Sequence, residues 1–152
     1  AETPIKTKFA EILNPMITNE QIKDLTERRN ALGGIFDIDG KQQQITEKEA
    51  LTQQPGFWND PKAAEDILRE ISQIKSWTTQ FEKVSGSLED LLVIYDFYRE
   101  GEATEEDADN QYSSCLEMIE DLEVRNMLRK EEDQLGAILK INSGAGGTES
   151  ND

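Results

Sequence analysis

Between Glu100 and Asp109 six carboxylates, Glu100, Glu102, Glu105, Glu106, Asp107 and Asp109, crowd into ten residues with no base among them. Paired carboxylates can exchange protons with a substrate or hold a divalent cation. Both tasks need a fixed geometry, and proton transfer also needs a pocket. The spacing supplies neither, so the stretch reads as a solvated tip, with a contact surface for a basic partner as the functional alternative. A second acidic motif, Asp37-Ile38-Asp39-Gly40, opens like a calcium loop. Counting from Asp37, Lys41 falls on a ligand position, Gln42 stands where glycine is required, and Lys48 where a bidentate glutamate belongs. The motif is read instead as a turn that caps a helix.

Other chemistry is restricted by what the chain lacks. It has no histidine, which removes the commonest general base, the usual serine or cysteine triads and most zinc sites. The single cysteine, Cys115, cannot form an internal disulfide and falls on an apolar helical stripe, where it acts as a small buried hydrophobe suited to a reducing compartment. Gly144-Ala145-Gly146-Gly147-Thr148-Glu149-Ser150 has the flexibility of a phosphate-cradling loop, but no Lys-Ser/Thr follows it, so it is not a nucleotide P-loop. No catalytic residue, cofactor site or metal site is assigned, and the chain is expected not to be an enzyme.

The elements that would position these residues are helical. Ile67, Ile71, Ile74, Phe81, Val84, Leu88, Leu91, Tyr95 and Tyr98 follow steps of three and four, as do Ala108, Tyr112, Cys115, Ile119 and Leu122. Each series makes one apolar face, and the two faces can close on each other as an antiparallel helical hairpin. Gly101 ends the first arm, and Thr104 with Asp107 makes a capping box for the second. The first arm starts at Asp60-Pro61, a capping carboxylate followed by a proline in the first turn. Near Phe81 to Val84 two steps of three fall together, and Ser85-Gly86-Ser87 follows, so a kink or short break is expected before Leu88.

Ahead of the hairpin, Thr18 and Gln21 form a capping box for a helix over about Asn19 to Leu32, lined by Ile22, Leu25, Leu32 and Phe36. Gly33-Gly34 then ends or loosens it, since two glycines cost a helix interior about 2 kcal/mol against alanine. A second helix is expected from about Gly40 to Gln53, with only Ile45 and Leu51 on its apolar face, and so on the outside of the bundle. Pro55-Gly56 is a turn, and Phe57-Trp58 a hydrophobic plug against the preceding helix. Trp77, beside the seam, is placed to meet the first helix. At the far end Glu131-Glu132-Asp133 closes the hairpin. Ala137-Ile138-Leu139-Lys140-Ile141 then reads as a strand feeding a loop and a helix capped by Thr148. The fold class is all-α, a helical bundle built on a long antiparallel hairpin, with the first strand of a truncated α+β domain at the C-terminus. The domains are 1–15, a weakly structured leader; 16–134, the helical domain; and 135–152, the opening of a second domain.

The chain has 152 residues, of which 16 are basic and 32 acidic, for a formal charge of −16. Such a surface repels phosphate backbones, so broad nucleic-acid binding and anionic membranes are disfavoured, while Arg28-Arg29 leaves a local basic spot for RNA. No apolar run approaches the ~20 residues of a membrane helix, and Ala1 to Asn14 lacks the blocks of a secretory signal. A cytoplasmic protein is expected.

Three stretches carry a family likeness: Leu32-Gly33-Gly34-Ile35-Phe36-Asp37, Pro55-Gly56-Phe57-Trp58-Asn59-Asp60-Pro61, and the run from Ile141 to Asp152. Together they resemble the amino-terminal part of the bacterial peptide chain release factor 2 family, over about Met16 to Asp152. The Gly146-Gly147-Thr148-Glu149 ending is the most specific, because release factor 1 usually has Asp in place of the Thr. Gly33 stands where the family commonly has Arg. The resemblance implies a translation termination factor that reads UGA and UAA through a Ser-Pro-Phe motif and triggers peptidyl-tRNA hydrolysis through a Gly-Gly-Gln motif. Neither motif occurs here. It further implies that this chain is the ribosome-docking domain alone, reaching toward the stalk base of the large subunit. The alternative reading is an acidic helical adaptor or coiled-coil scaffold that binds another protein. A third, carboxylate catalysis at Glu102 to Asp109, requires that neutralising those residues abolish chemistry rather than binding.

Overall fold

A computed structural model describes the backbone over residues 17–151 and the side chains as far as residue 142. The elements are α1 (Asn19–Ile35), α2 (Ile38–Thr52), a single 3-10 turn (Phe57–Asn59), α3 (Pro61–Arg99) and α4 (Glu105–Asn151). The all-α class is as the periodicity predicts. The leader, 1–15, lies outside the described residues. No helix among the described residues is long and apolar enough to cross a membrane.

The chain divides into two units, the first reaching Ile119 and the second beginning at Glu120. In the first, α1 starts at the expected capping box, where Thr18 Oγ1 accepts from the Gln21 amide and the Gln21 side chain accepts from Thr18 N–H. It runs antiparallel to α3. Phe36 stacks on Trp77 with ring centroids 4.9 Å apart, Gly33 lies against the Phe81 ring, and Arg29 donates to Ser85 Oγ at 3.2 Å. Each step of three or four back along α1 is matched by four forward along α3, which is one continuous line of contact. The Gly33 position is tight, since a Cβ there would sit 3.0 Å from Phe81 Cζ. The glycine pair does not end α1, which continues to Ile35. Termination comes at Asp37, whose left-handed backbone (φ 48°) Asp tolerates better than most residues.

The same Asp37 caps α2, its Oδ1 accepting from the Gly40 amide at 3.3 Å, so α2 opens at Ile38 rather than Gly40. That carboxylate is committed to a cap, in keeping with the turn reading of the Asp-Ile-Asp-Gly motif. α2 lies beside the first half of α3, where Lys48 reaches Glu70 at 2.7 Å and Lys75 pairs with Glu49. Ile45 is half-buried and Leu51 exposed, as expected of an outer helix. The core between α1, α3 and the start of α4 holds Leu25, Leu32, Phe36, Leu88, Leu91, Cys115 and Ile119, all at 2% exposure or less. Val84 and Ala108 complete the two seams. The arms are tied directly by Gln111, whose Nε2 donates to the Ser87 carbonyl at 3.0 Å.

α3 is unbroken through Ser85-Gly86-Ser87, contrary to the expected break. The two serines are held from both sides, Ser85 by Arg29 and Ser87 by Gln111, and these tertiary contacts outweigh the local glycine penalty of about 1 kcal/mol.

The second unit is the continuation of α4. Leu122 and Asn126 are buried, and Arg129 donates to Asn126 Oδ1 at 3.1 Å. Two expectations are corrected here. Glu131-Glu132-Asp133 does not end the helix, and Ala137 to Ile141 is helical rather than the first strand of an α+β domain. The backbone stays helical through the glycine-rich 144–150 stretch as well. A strand must give its ladder hydrogen bonds to a neighbour, and no second strand occurs among the described residues. A helix already nucleated satisfies each added residue internally, so the β preference of Ile138 and Ile141 is overridden. Leu135, Ile138, Leu139 and Ile141 are left 55–71% exposed.

Candidate functional site

The hairpin tip occupies Glu100 to Thr104. α3 stops in a Schellman turn, with Glu102 N–H donating to Phe97 O at 2.8 Å and Gly101 N–H to Tyr98 O at 3.1 Å. Gly101 takes the left-handed conformation this turn requires (φ 80°). α4 then opens on the predicted capping box. Asp107 N–H donates to Thr104 Oγ1 at 3.0 Å, and Thr104 N–H donates to Asp107 Oδ2 at 3.3 Å. Of the six tip carboxylates Asp107 therefore serves the helix start, and all six are exposed. They converge on no common point. Among the described residues no group of three or more potential ligands could hold a metal ion. The geometry is that of a charged surface.

The basic spot on α1 is divided. Arg28 pairs with Asp24 along the helix at 3.6 Å. Arg29 turns inward, its Nε donating to Asn30 Oδ1 at 2.9 Å and its Nη1 to Ser85. It acts as a joint between α1 and α3. Cys115, fully buried on α4, lies by the same joint. Burial pushes its thiol above the ordinary value, while a hydrogen bond with Ser87 and the Arg29 charge pull the other way. A thiol so placed is protonated and shielded, a packing residue rather than a nucleophile.

The Phe57-Trp58 plug is only half realised. Phe57 is half-buried, but Trp58 is 65% exposed and rests edge-on against the Phe57 ring, 5.0 Å between centroids. The 3-10 turn rotates successive side chains by a third of a turn, so two neighbours cannot both face the bundle. The Gly144 to Ser150 side chains lie outside the described residues.

One face was not singled out in the sequence. On α3, Val93 and Phe97 are one turn apart and 52% and 45% exposed. At 100° per residue they lie opposite the buried seam of Val84, Leu88 and Leu91. Exposed acids, Glu89, Asp90, Asp96 and Glu100, flank them on neighbouring turns. The signal was present as a second step of four between carboxylates, but it is two residues long, and the nine-residue seam hid it.

α2, the 3-10 turn and both hairpin arms lie almost wholly within residues 41–152, and it is these residues that match the family model described as the PCRF domain. With nearly three quarters of its length in that match, the chain belongs to the peptide chain release factor family.

Proposed function

We propose that this chain is the helical, ribosome-docking domain of a release factor of the second bacterial type, the factor that terminates translation at UGA and UAA. The PCRF match over residues 41–152 carries the reading. The Gly146-Gly147-Thr148-Glu149 signature supports the second type over the first. The chain's contribution is positional. The Ser-Pro-Phe and Gly-Gly-Gln motifs that read the codon and trigger hydrolysis do not occur in it. The described part has instead a long hairpin locked by a buried seam, a capped tip and an acidic outer surface. Such an arm can hold a factor in place at the stalk base of the large subunit of the cytoplasmic ribosome without taking part in chemistry.

The test uses the purified chain, large ribosomal subunits, and ribosomes stalled on a stop codon with labelled peptidyl-tRNA. The chain is expected to bind the subunits in a sedimentation assay and to release no peptide. Release of peptide by the chain alone would overturn the positional role, and absence of binding would overturn the docking assignment.

A further inference from the structure

α2 is attached to the first unit more loosely than its neighbours. Of its fifteen residues only Ile38, the first, is buried, while Ile45 is half-buried and Leu51 is 41% exposed. Every hydrophobic side chain at 2% exposure or less among the described residues lies outside it. Two ion pairs join the rest of α2 to α3, Lys48 with Glu70 and Lys75 with Glu49, and their side chains are 29–54% exposed. Pairs so exposed contribute little and are screened by salt. Under the second half of the helix the packing is open. A cleft of about 500 Å³ is lined there by Thr46, Glu49 and Ala50 from α2 and by Leu68, Ile71 and Lys75 from α3. The ends are better held, by buried Ile38 and the Lys41 bond to the Phe36 carbonyl on one side and by half-buried Phe57 on the other. The segment also falls between two left-handed residues, Asp37 (φ 48°) and Gly56 (φ 86°), where the chain changes direction.

We propose that α2 is a releasable strap: residues 42–54 detach from α3 and unfold as a separate unit, while the core of α1, α3 and the start of α4 stays folded. A free helix of this length is marginal in water, and Gly40 in the first turn weakens it further, so α2 depends on its contacts. Those contacts bury little apolar surface, which is the property of segments that open below the global unfolding free energy. The two ion pairs act as the latch, and the held ends return the segment to its place. Release opens Ile71 of α3, 6% exposed in the closed form, to water beside Leu68, already 41% exposed. The chain thereby gains an apolar surface on α3 that the closed strap withholds. This property belongs to the chain by itself and goes beyond the docking reading.

The test is native-state hydrogen exchange of the purified chain, read by mass spectrometry on peptides of α2 and α3 and corrected for intrinsic rates. Amides at 42–52 are expected to exchange at least about a hundredfold faster than those of Val84 to Leu91 in the same molecules. Raising KCl from about 50 mM to about 0.5 M should speed the α2 amides severalfold and leave Val84 to Leu91 unchanged. Glu70→Gln combined with Lys75→Gln removes both pairs without altering the sequence of α2, and should speed its amides about fivefold. Exchange of α2 at the rate of Val84 to Leu91 would mean that the helix opens only with the whole domain, and overturns the strap. Fast α2 exchange that is indifferent to salt or to the double variant overturns the latch, and the proposal with it. Neither result bears on whether the chain binds large subunits, so the docking reading is tested separately.

Discussion

Leu91 and Leu92 are adjacent on α3, yet one is 0% and the other 41% exposed. Neighbouring residues on a helix are 100° apart, so this pair reports the rotational phase of the hairpin seam. Leu91→Ala removes three buried carbons, worth about 2.4 kcal/mol at ~0.8 kcal/mol each. The void they leave, on the order of 60 Å³ before relaxation, adds up to about 1.5 kcal/mol at ~24 cal/mol per Å³. The expected loss is about 3 to 4 kcal/mol, or a melting temperature lower by roughly 10–20 °C for a domain of this size. Leu92→Ala gives up only part of that transfer energy, opens no enclosed void and gains a few tenths of a kcal/mol in helix propensity, so its loss stays below about 1 kcal/mol. Urea unfolding followed by far-ultraviolet circular dichroism measures both, and an unchanged denaturant slope keeps the comparison two-state. A loss from Leu92→Ala equal to that from Leu91→Ala would refute the seam.

The remaining predictions concern single features. Gly34→Ala meets nothing within 4 Å and should stabilise by up to about 1 kcal/mol, whereas Gly40→Ala places a Cβ 2.2 Å from Asp37 Oδ2 and expels the α2 cap. The two alanine variants should therefore differ by about 1–2 kcal/mol in chemical unfolding, with Gly40→Ala the less stable. Cys115 binds its proton more tightly folded than unfolded, so its contribution to stability is complete below its ordinary value of 9.0 and declines as pH rises past it. Urea midpoints of wild type and Cys115→Ala should accordingly converge above that pH, and maleimide should label the native thiol far more slowly than the unfolded one. Tryptophan emission should be blue-shifted in Trp58→Phe, which retains the half-buried Trp77 stacked on Phe36, and red-shifted in Trp77→Phe, which retains the exposed Trp58.

Much of the architecture was legible because it rests on local rules. Thr18 with Gln21, Asp60 before Pro61, and Thr104 with Asp107 announce helix starts through hydrogen bonds made within four residues, and all three form as their spacing implies. The two apolar stripes likewise follow from helical periodicity: Ile71, Val84, Leu88 and Leu91 are buried on the first and Ala108, Cys115, Ile119 and Leu122 on the second, while the remaining members are half-buried. Gly33-Gly34 and Ser85-Gly86-Ser87 read as breaks because glycine weakens local helix propensity, and Glu131-Glu132-Asp133 as the end of the second arm, yet the helices run through all three. Ala137 to Ile141 was read as strand from residue type, although what decides a strand is a partner for its backbone.

The sequence by itself determined the helical class, the hairpin turn at Gly101 and the acidic character of the surface, and it carried the motifs of the release factor family. These are properties of composition, short-range capping and period, which need no knowledge of what lies across the bundle. Only the tertiary structure decided that Arg29 turns inward to Ser85, that Trp58 stays in water while Phe57 is half-buried, and that Val93 and Phe97 stand exposed among acids. Each of these depends on which face of a helix a neighbour covers. Coverage is set by contacts between residues far apart in the chain, such as the 56 positions between Arg29 and Ser85, where no local pattern reaches.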